Sequence, residues 1–466
     1  MRACGGVWVA QASGDADREM SDEAGRIGLP QDDPRYLLRR VWLSKEEEAG
    51  YYLGFANEGL WPLCHIVHTR PQFRPEDWAH YKAVNEKFAA AILAEAADVD
   101  SPLILIQDYH FALLPGLIKR ERPDARVALF WHIPWPNAEA FGICPWQHEL
   151  LLGMLGADLV GFHTQYYCNN FLETAERAIE ARVEWEQFAV TRGQRTTLVK
   201  PFPISVAPEF VPNPPDTLRE DILRDLGISC EFLGVGVERL DYTKGLPERI
   251  RAVGRFFELN PEYRERLVFV QLAAPSRSSI ARYQEIEAEV DATVREVNTS
   301  LATRKWRPVL YLKRHHDHRE IWPFYRYADF CMVTSLHDGM GISPFEFLVL
   351  PRMLGLILMM PLLTIYADLV GILGGAVVGV GMLKVGIVPY WNHTWNAASL
   401  ADFAAGMIKS VVFGILIAIA GCMRGMQSGR SSAAVGLAAT SAVVTAIVFV
   451  IVSDAILTVV YDAIGF

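Results

Sequence analysis

The chain has 466 residues, 51% hydrophobic and 21% charged, with 44 basic against 54 acidic side chains and a net charge of −10. That length supports two or three cores without a disulfide or metal staple, and the acidic balance argues against a nonspecific duplex nucleic-acid binder, which needs a basic surface. Charge is also divided unevenly: 88 charged residues fall in the first 339 positions and only ten in the 127 from Met340 to Phe466. The first part therefore reads as soluble and the second as membrane-embedded. The seven cysteines are widely spaced without a Cys-x-x-Cys pair, the pattern of reduced thiols. Residues Met1–Glu23 have no secretory pattern, which predicts that the first domain stays in the cytosol.

In chain order, Tyr36–Trp42 reads as a short strand, and Lys45–Gly50 as too charged for the core. Asp77–Ala97 reads as a helix, Leu103–Ile106 as a buried strand, Phe111–Arg120 as a helix and Arg126–Trp131 as the next strand. Leu159–Phe162 (strand), Gln165–Ala181 (helix) and Leu198–Pro203 (strand stopped by proline) follow. Pro208–Pro215, with four prolines, is the hinge candidate. A second series then begins: strand Phe232–Val235, helix Leu246–Leu259 opened by Pro247, strand Leu267–Leu272, helix Ser279–Val297, and strands Val309–Leu312 and Phe330–Thr334. Short apolar strands alternating with helices predict parallel α/β sheets. The expected fold is two facing Rossmann-like α/β domains, residues 1–207 and 208–339, followed by an all-α transmembrane region, 340–466.

Four polar clusters each follow an apolar strand: Gln107–His110, His132–Pro136, Glu238–Gly245 and His337–Gly339. Parallel sheets bind ligands beyond the C-terminal ends of their strands, so the four predict one shared site. Arg239 and Lys244 stand between a strand and a proline-started helix, a suitable cradle for a diphosphate; the alternative is salt bridging to Asp241 or Glu238. Asp108 and His132 are candidates for grasping sugar hydroxyls, unless the histidine is a satisfied core residue. Asp338 could place a carboxylate on a ligand, with Gly339 allowing close backbone approach, and Arg277 could face an anionic second substrate or lie in an exposed loop. The pairs Asp15/Asp17 and Asp98/Asp100 read as polar loops, and the spacing of His315, His316 and His318 defines no metal site. Gly-x-Gly-x-x-Gly and Gly-x-Ser-x-Gly loops are absent from the sequence.

Residues 1–340 resemble the trehalose-6-phosphate synthase family. The resemblance rests on Leu60-Trp61-Pro62, Asp108-Tyr109-His110, His132-Ile133-Pro134-Trp135-Pro136, Gly161-Phe162-His163-Thr164, the run from Glu238 to Pro247, and Asp338-Gly339-Met340. It implies a GT-B fold, incomplete here, and transfer of glucose with retention from a nucleotide-glucose, UDP-glucose in the first instance, to glucose 6-phosphate, without a metal. By the same resemblance Tyr52 and Trp61 would line the acceptor site, with Arg277 on its phosphate and Asp108 on its sugar, and Tyr109 would bind substrate. His132 and Asp338 would approach the donor glucose, and Arg239 and Lys244 would hold its diphosphate. Two departures predict impaired transfer. The family begins with a strand ending in Ser-Asn-Arg and a glycine-rich loop, whereas this sequence opens Met1-Arg2-Ala3-Cys4-Gly5-Gly6. After Met340 it reads Gly341-Ile342-Ser343-Pro344-Phe345 in place of Asn-Leu-Val.

Beyond Met340, Leu348–Leu383 is too long for one straight span, Met407–Met423 is a second apolar segment, and Ala433–Ser453 is an uncharged span ended by Asp454. Arg424 and Arg430 favour a cytosolic loop, hence three crossings in the inner membrane. The stretches Met340–Arg352, Tyr366–Gly371 and Ala438-Ala439-Thr440 resemble the permease subunit of phospholipid-transporting ABC systems. That resemblance implies a lipid bilayer, an ABC ATPase and a permease homodimer as partners. Both resemblances meet at Gly339–Gly341 without a linker. Three readings stay open: a glycosyltransferase, a permease fragment, or an inactive fusion or sequence artefact.

Overall fold

The computed structural model describes residues 5–204 except 13 and 68, residues 218–341, scattered residues between 359 and 380, and residues 386–397, 400–426 and 432–464. The chain divides into two units, one of residues 1–205, 216–321 and 327–343, the other of 206–215, 322–326 and 344–466. The expected hinge Pro208–Pro215 and most of the expected segment Leu348–Leu383 lie outside the described residues, as do 342–352 of the permease-like stretch.

The first unit opens with β1 (Val7–Gln11), α1 (Asp15–Met20), β2 (Arg26–Leu29) and β3 (Tyr36–Val41), the strands forming a small sheet of order β1-β3-β2. Only β3 was legible in advance, because β1 and β2 are short and half-exposed and carry little apolar alternation. Next come α2 (Lys45–Glu48), a π-helix over Ala49–Leu60, α3 (Trp61–His65) and α4 (Pro75–Glu95). Helix α2 buries nothing, as its charge predicts, and is fixed by a capping box: Glu47 N donates to Ser44 Oγ at 3.1 Å, and Ser44 N to Glu47 Oε2 at 2.8 Å.

The first large sheet is built from β4 (Leu103–Gln107), α5 (Leu114–Glu121), β5 (Arg126–Phe130), α6 (Ala138–Phe141), α7 (Gln147–Met154), β6 (Leu159–Phe162), α8 (Gln165–Ala178), β7 (Arg182–Glu184), β8 (Ala189–Arg192) and β9 (Arg195–Pro201). Its order is β4-β5-β6-β9-β8-β7, with the first four strands parallel and the last two antiparallel. Helix α5 starts at Leu114 rather than Phe111, because Tyr109–Phe111 forms a single 3₁₀ turn capped by Asp108. Trp131, Trp135, Phe162 and Phe171 fill the core on one face, where Trp135 Nε1 donates to Thr174 Oγ1 at 3.0 Å. The opposite face is partly bare: Leu103 is 80% and Leu105 66% exposed.

The second large sheet follows α9 (Arg219–Asp225) and contains β10 (Phe232–Arg239), α10 (Leu246–Leu259), β11 (Leu267–Ala274), α11 (Ala281–Leu301), β12 (Val309–Leu312), α12 (His318–Tyr327) and β13 (Phe330–Cys331). Its order β12-β11-β10-β13 is parallel throughout. Strand β13 stops at Cys331, three residues short of the sequence expectation, pairing only Gly234–Phe330 and Val235–Cys331 with β10. Strands β10 and β11 are central, β11 almost wholly buried and β10 buried over Leu233–Gly236, which is why they read as continuous apolar runs.

The second unit contains α13 (Ile387–Ala397), α14 (Leu400–Met426) and α15 (Ser432–Ile464), the last two packed together. The span predicted to end at Asp454 instead continues through it to Ile464. The charge is accommodated because Lys409 Nζ donates to Asp454 Oδ1 at 2.7 Å and to Thr458 Oγ1 at 2.9 Å. Thr440–Tyr461, with mean hydropathy 2.6, is the one helix among the described residues long and apolar enough to cross a membrane; Ile408–Gly421 is a shorter apolar stretch. The chain is therefore expected to stay in the membrane pellet through a carbonate wash and to leave it only in detergent; release by carbonate alone would show that α15 does not span.

Candidate active site

The polar residues after β4 and β5 are held by backbone geometry. Asp108 occupies φ 73°, a region costly for a residue with a Cβ and typical of functional turns. Its Oδ1 accepts from Tyr109 N at 2.9 Å and from His132 N at 3.1 Å, so one carboxylate ties the two strand ends together. Burial pushes the Asp108 carboxyl up to about 6. His132 Nε2 donates to Gln107 Oε1 at 2.7 Å, and burial holds the imidazole below its usual range, hence neutral at pH 7.

The π-helix supplies the neighbouring wall. π-Helical turns often mark functional sites, and this one sets Tyr52 against His110, their rings stacked at 5.3 Å. Asn57 Oδ1 accepts from the Tyr109 hydroxyl at 2.7 Å, and Asn57 Nδ2 donates to Tyr52 O at 2.7 Å. Trp61, which follows directly, lies under two guanidiniums, Arg277 at 4.0 Å and Arg239 at 5.8 Å from the ring centre.

Across from these, Glu238, Arg239, Lys244 and Asp338 line a cavity of about 370 Å³ beyond the C-terminal end of β10. Lys244 Nζ pairs with Asp338 and lies 3.9 Å from Glu238 Oε2. Gly245, at φ 59°, turns the chain into α10 where a Cβ would meet the Thr334 carbonyl at 2.5 Å. One turn along α10, the fully buried Arg249 reaches back to Glu238 Oε1 (3.4 Å), Gln271 Oε1 (3.1 Å) and Thr334 Oγ1 (2.9 Å). Burial raises the Glu238 carboxyl, opposed by Lys244 and Arg249.

Hydrogen bonds and close packing join the two walls. Arg277 Nη2 donates to the Tyr109 hydroxyl at 3.1 Å. His337 Nδ1 hydrogen-bonds His65 O at 2.7 Å, and the Tyr167 hydroxyl donates to Asp338 O at 2.8 Å. Gly339 abuts the His132 carbonyl so closely that no Cβ could be placed there. All nine residues singled out from the sequence (Tyr52, Trp61, Asp108, Tyr109, His132, Arg239, Lys244, Arg277 and Asp338) thus lie along one contiguous chain of contacts. The alternative weighed for Asp241 is resolved: it faces Arg277 at 3.7 Å, while Glu238 and Asp338 flank Lys244.

Sequence reasoning missed Arg249, Asn57, Tyr283 and His65. For Arg249 a signal existed, a charge beside Ile250 on the apolar face of α10; the others carry no spacing pattern. The Asp-x-Asp pairs stand elsewhere, with Asp17 Oδ1 bonded to Arg40 Nη2 at 2.7 Å. Among the described residues no group of three or more His, Cys, Asp or Glu is arranged to hold a metal ion. Arg249→Ala would strand the buried Glu238 carboxylate. We expect a loss of about 3–5 kcal/mol of stability, read as a lower urea midpoint in detergent; an unchanged midpoint would show that Lys244 alone suffices.

The family model of glycosyltransferase family 20 matches residues 2–360, and that of the permease MlaE matches residues 337–460. The bifunctional trehalose-6-phosphate synthase/phosphatase of Thermoproteus tenax is 36% identical over 354 residues, covering 74% of this chain and 46% of that protein. The trehalose-6-phosphate synthase of Mycobacterium avium is 36% identical over 362 residues, covering 75% and 72%. Some curated relatives are far longer, and the chain spans only about half the length of the Thermoproteus protein. Among solved structures, the E. coli protein described as bound with UDP-2-fluoro glucose superposes with a TM-score of 0.68 at 26% identity, over 75% of this chain and 76% of that one. The two large sheets are thus those of a GT-B-like α/β fold, and the chain belongs to glycosyltransferase family 20.

Proposed function

We propose that the chain is a glycosyltransferase of the trehalose-6-phosphate synthase type, moving glucose with retention from UDP-glucose to glucose 6-phosphate. The observation that carries this reading is the placing of Arg239 and Lys244 at one cavity beyond β10, joined through Gly339 and Arg277 to the Asp108–His132 wall. In this reading residues 1–207 form the acceptor side, 208–339 the nucleotide-sugar side, and 340–466 attach the chain to the inner membrane with the first domain in the cytosol. No metal is required.

The bond from the anomeric carbon to the diphosphate oxygen breaks, and its electron pair leaves with UDP. The acceptor hydroxyl oxygen bonds to the same face of that carbon, and its proton passes to the departing phosphate oxygen. Arg239 and Lys244 neutralise the charge growing on the diphosphate. Asp108, with Oδ1 held by two amides, offers Oδ2 to an acceptor hydroxyl, while His132 and Asp338 orient the donor glucose. Tyr52, Trp61 and Tyr109 line the acceptor site, and Arg277 meets the acceptor phosphate. Rate depends on holding both sugars in register, so the altered sequence after Met340 is expected to slow transfer.

A second reading is favoured by the permease match over residues 337–460 and the paired helices α14 and α15: a lipid-transport subunit working as a homodimer with an ABC ATPase. Crosslinking between copies in membranes, together with ATP-dependent lipid release in the presence of an added ABC ATPase, would support it.

The purified chain in nanodiscs, given UDP-glucose and glucose 6-phosphate, should release UDP and form a phosphorylated disaccharide in equal amounts. Absence of both donor binding and product would reject the enzyme reading. Arg239→Ala and Lys244→Ala should each weaken UDP-glucose binding by about 1.5–3 kcal/mol in calorimetry, the usual worth of a charge-assisted contact.

The pH dependence has a definite sign. Asp108 accepts a hydroxyl most strongly as the carboxylate, so kcat/KM should rise with pH through about 6. Because burial raises this carboxyl in the fold, its contribution to stability is present at low pH and is lost as pH rises through the same region. Asp108→Asn should abolish the activity limb, and a limb retained in that variant would assign it to another group.

A further inference from the structure

Arg277 follows β11 at φ 48°, the left-handed region that a side chain rarely adopts, so its placement is imposed by its surroundings. Its guanidinium rests on the Trp61 ring, Nη2 donates to the Tyr109 hydroxyl and Nη1 to the Tyr283 hydroxyl. Its Nε is buried and has no hydrogen-bond partner. The Tyr283 hydroxyl then donates to Asp241 Oδ2 at 3.1 Å, and Asp241 Oδ1 accepts from Thr243 N at 3.0 Å. Asp241 is fully buried, with its Oδ2 3.7 Å from Arg277 Nη1.

This is an unusual way to hold an arginine. A guanidinium beside a buried carboxylate ordinarily pairs with it through two parallel hydrogen bonds along one edge, which would leave little charge for an anion. Here a phenol stands between them. It has one proton, spent on Asp241, and a lone pair that accepts from Arg277. The arginine is anchored through Nη1 while Nε keeps its donor capacity.

We propose that Tyr283 and Asp241 are positioning residues that set selectivity for a phosphorylated over an unphosphorylated acceptor. Tyr283 keeps Arg277 from collapsing onto Asp241, and so keeps its charge, with Nε unpaired, for a phosphate oxygen. The inference rests on the reading above in which Arg277 meets the acceptor phosphate. Removing the hydroxyl leaves the ring contact with Tyr242, at 5.3 Å between centres, in place. Arg277 then pairs directly with Asp241.

The test is calorimetry and steady-state kinetics on the full chain in nanodiscs, comparing the unaltered protein with Tyr283→Phe. Glucose 6-phosphate, glucose and UDP-glucose serve as the probes. We expect Kd and KM for glucose 6-phosphate to rise about tenfold, the loss of one charge-assisted contact. Binding of glucose and UDP-glucose, kcat and the melting temperature should stay nearly constant, so that the preference for the phosphorylated sugar collapses. Asp241→Asn should move the same ratio in the same direction; if that variant fails to fold, Tyr283→Phe decides. An unchanged Kd for glucose 6-phosphate in Tyr283→Phe, or an equal loss for glucose, overturns the positioning role alone. An unaltered chain that binds no glucose 6-phosphate overturns this inference together with the acceptor reading on which it rests.

Discussion

The cations of the cleft must be held by buried carboxylates without being consumed by them, and much of the architecture follows from that constraint. Arg249 is spent entirely on structure: it has no exposure and anchors Glu238, Gln271 and Thr334 beneath the cavity. With one Glu238 oxygen committed there, Lys244 stays 3.9 Å from the other and pairs with Asp338 at the cavity wall. Arg239 sits above the Trp61 ring, an arrangement that stabilises a cation without fixing its hydrogen-bonding edge.

The same economy joins the two walls. Tyr109 donates to Asn57 and accepts from Arg277, while Tyr283 donates to Asp241 and accepts from the same arginine. A phenol has one proton and can face two ways, so a tyrosine on either side holds Arg277 between sheets that share no strand. Gly339 permits the closest backbone approach, against the His132 carbonyl. Any residue with a Cβ there would separate Asp338 from the His132 loop.

The second unit solves a charge problem of the same kind in apolar surroundings. Lys409 and Asp454 neutralise each other between α14 and α15, and Thr458 Oγ1 accepts a second hydrogen bond from the lysine. Arg424 Nε donates to Thr445 Oγ1 at 2.9 Å, a second polar contact between the same helices. The bare face of β4 is the opposite case. Leu103 and Leu105 stay in solvent although parallel sheets are normally covered on both sides.

By itself, the sequence determined the alternation of strand and helix, the break in charge at Met340 and the strand ends at which polar clusters gather. Local pattern suffices there: apolar runs mark buried strands, and Leu159–Phe162, Val309–Leu312 and Leu246–Leu259 begin and end where their residue types dictate. Asp108, His132, Arg239 and Lys244 were legible because each follows such a run. Only the tertiary structure decided which charge faces which. Asp241 lies two residues from Arg239 and three from Lys244, yet it turns to Arg277, 36 positions away, because the loop after β10 directs its carboxylate into the core beside α11. The helix that runs on through Asp454 depends likewise on Lys409, 45 residues earlier. Ion pairing and phenol relays depend on distance and direction in three dimensions, and neither is carried by spacing along the chain.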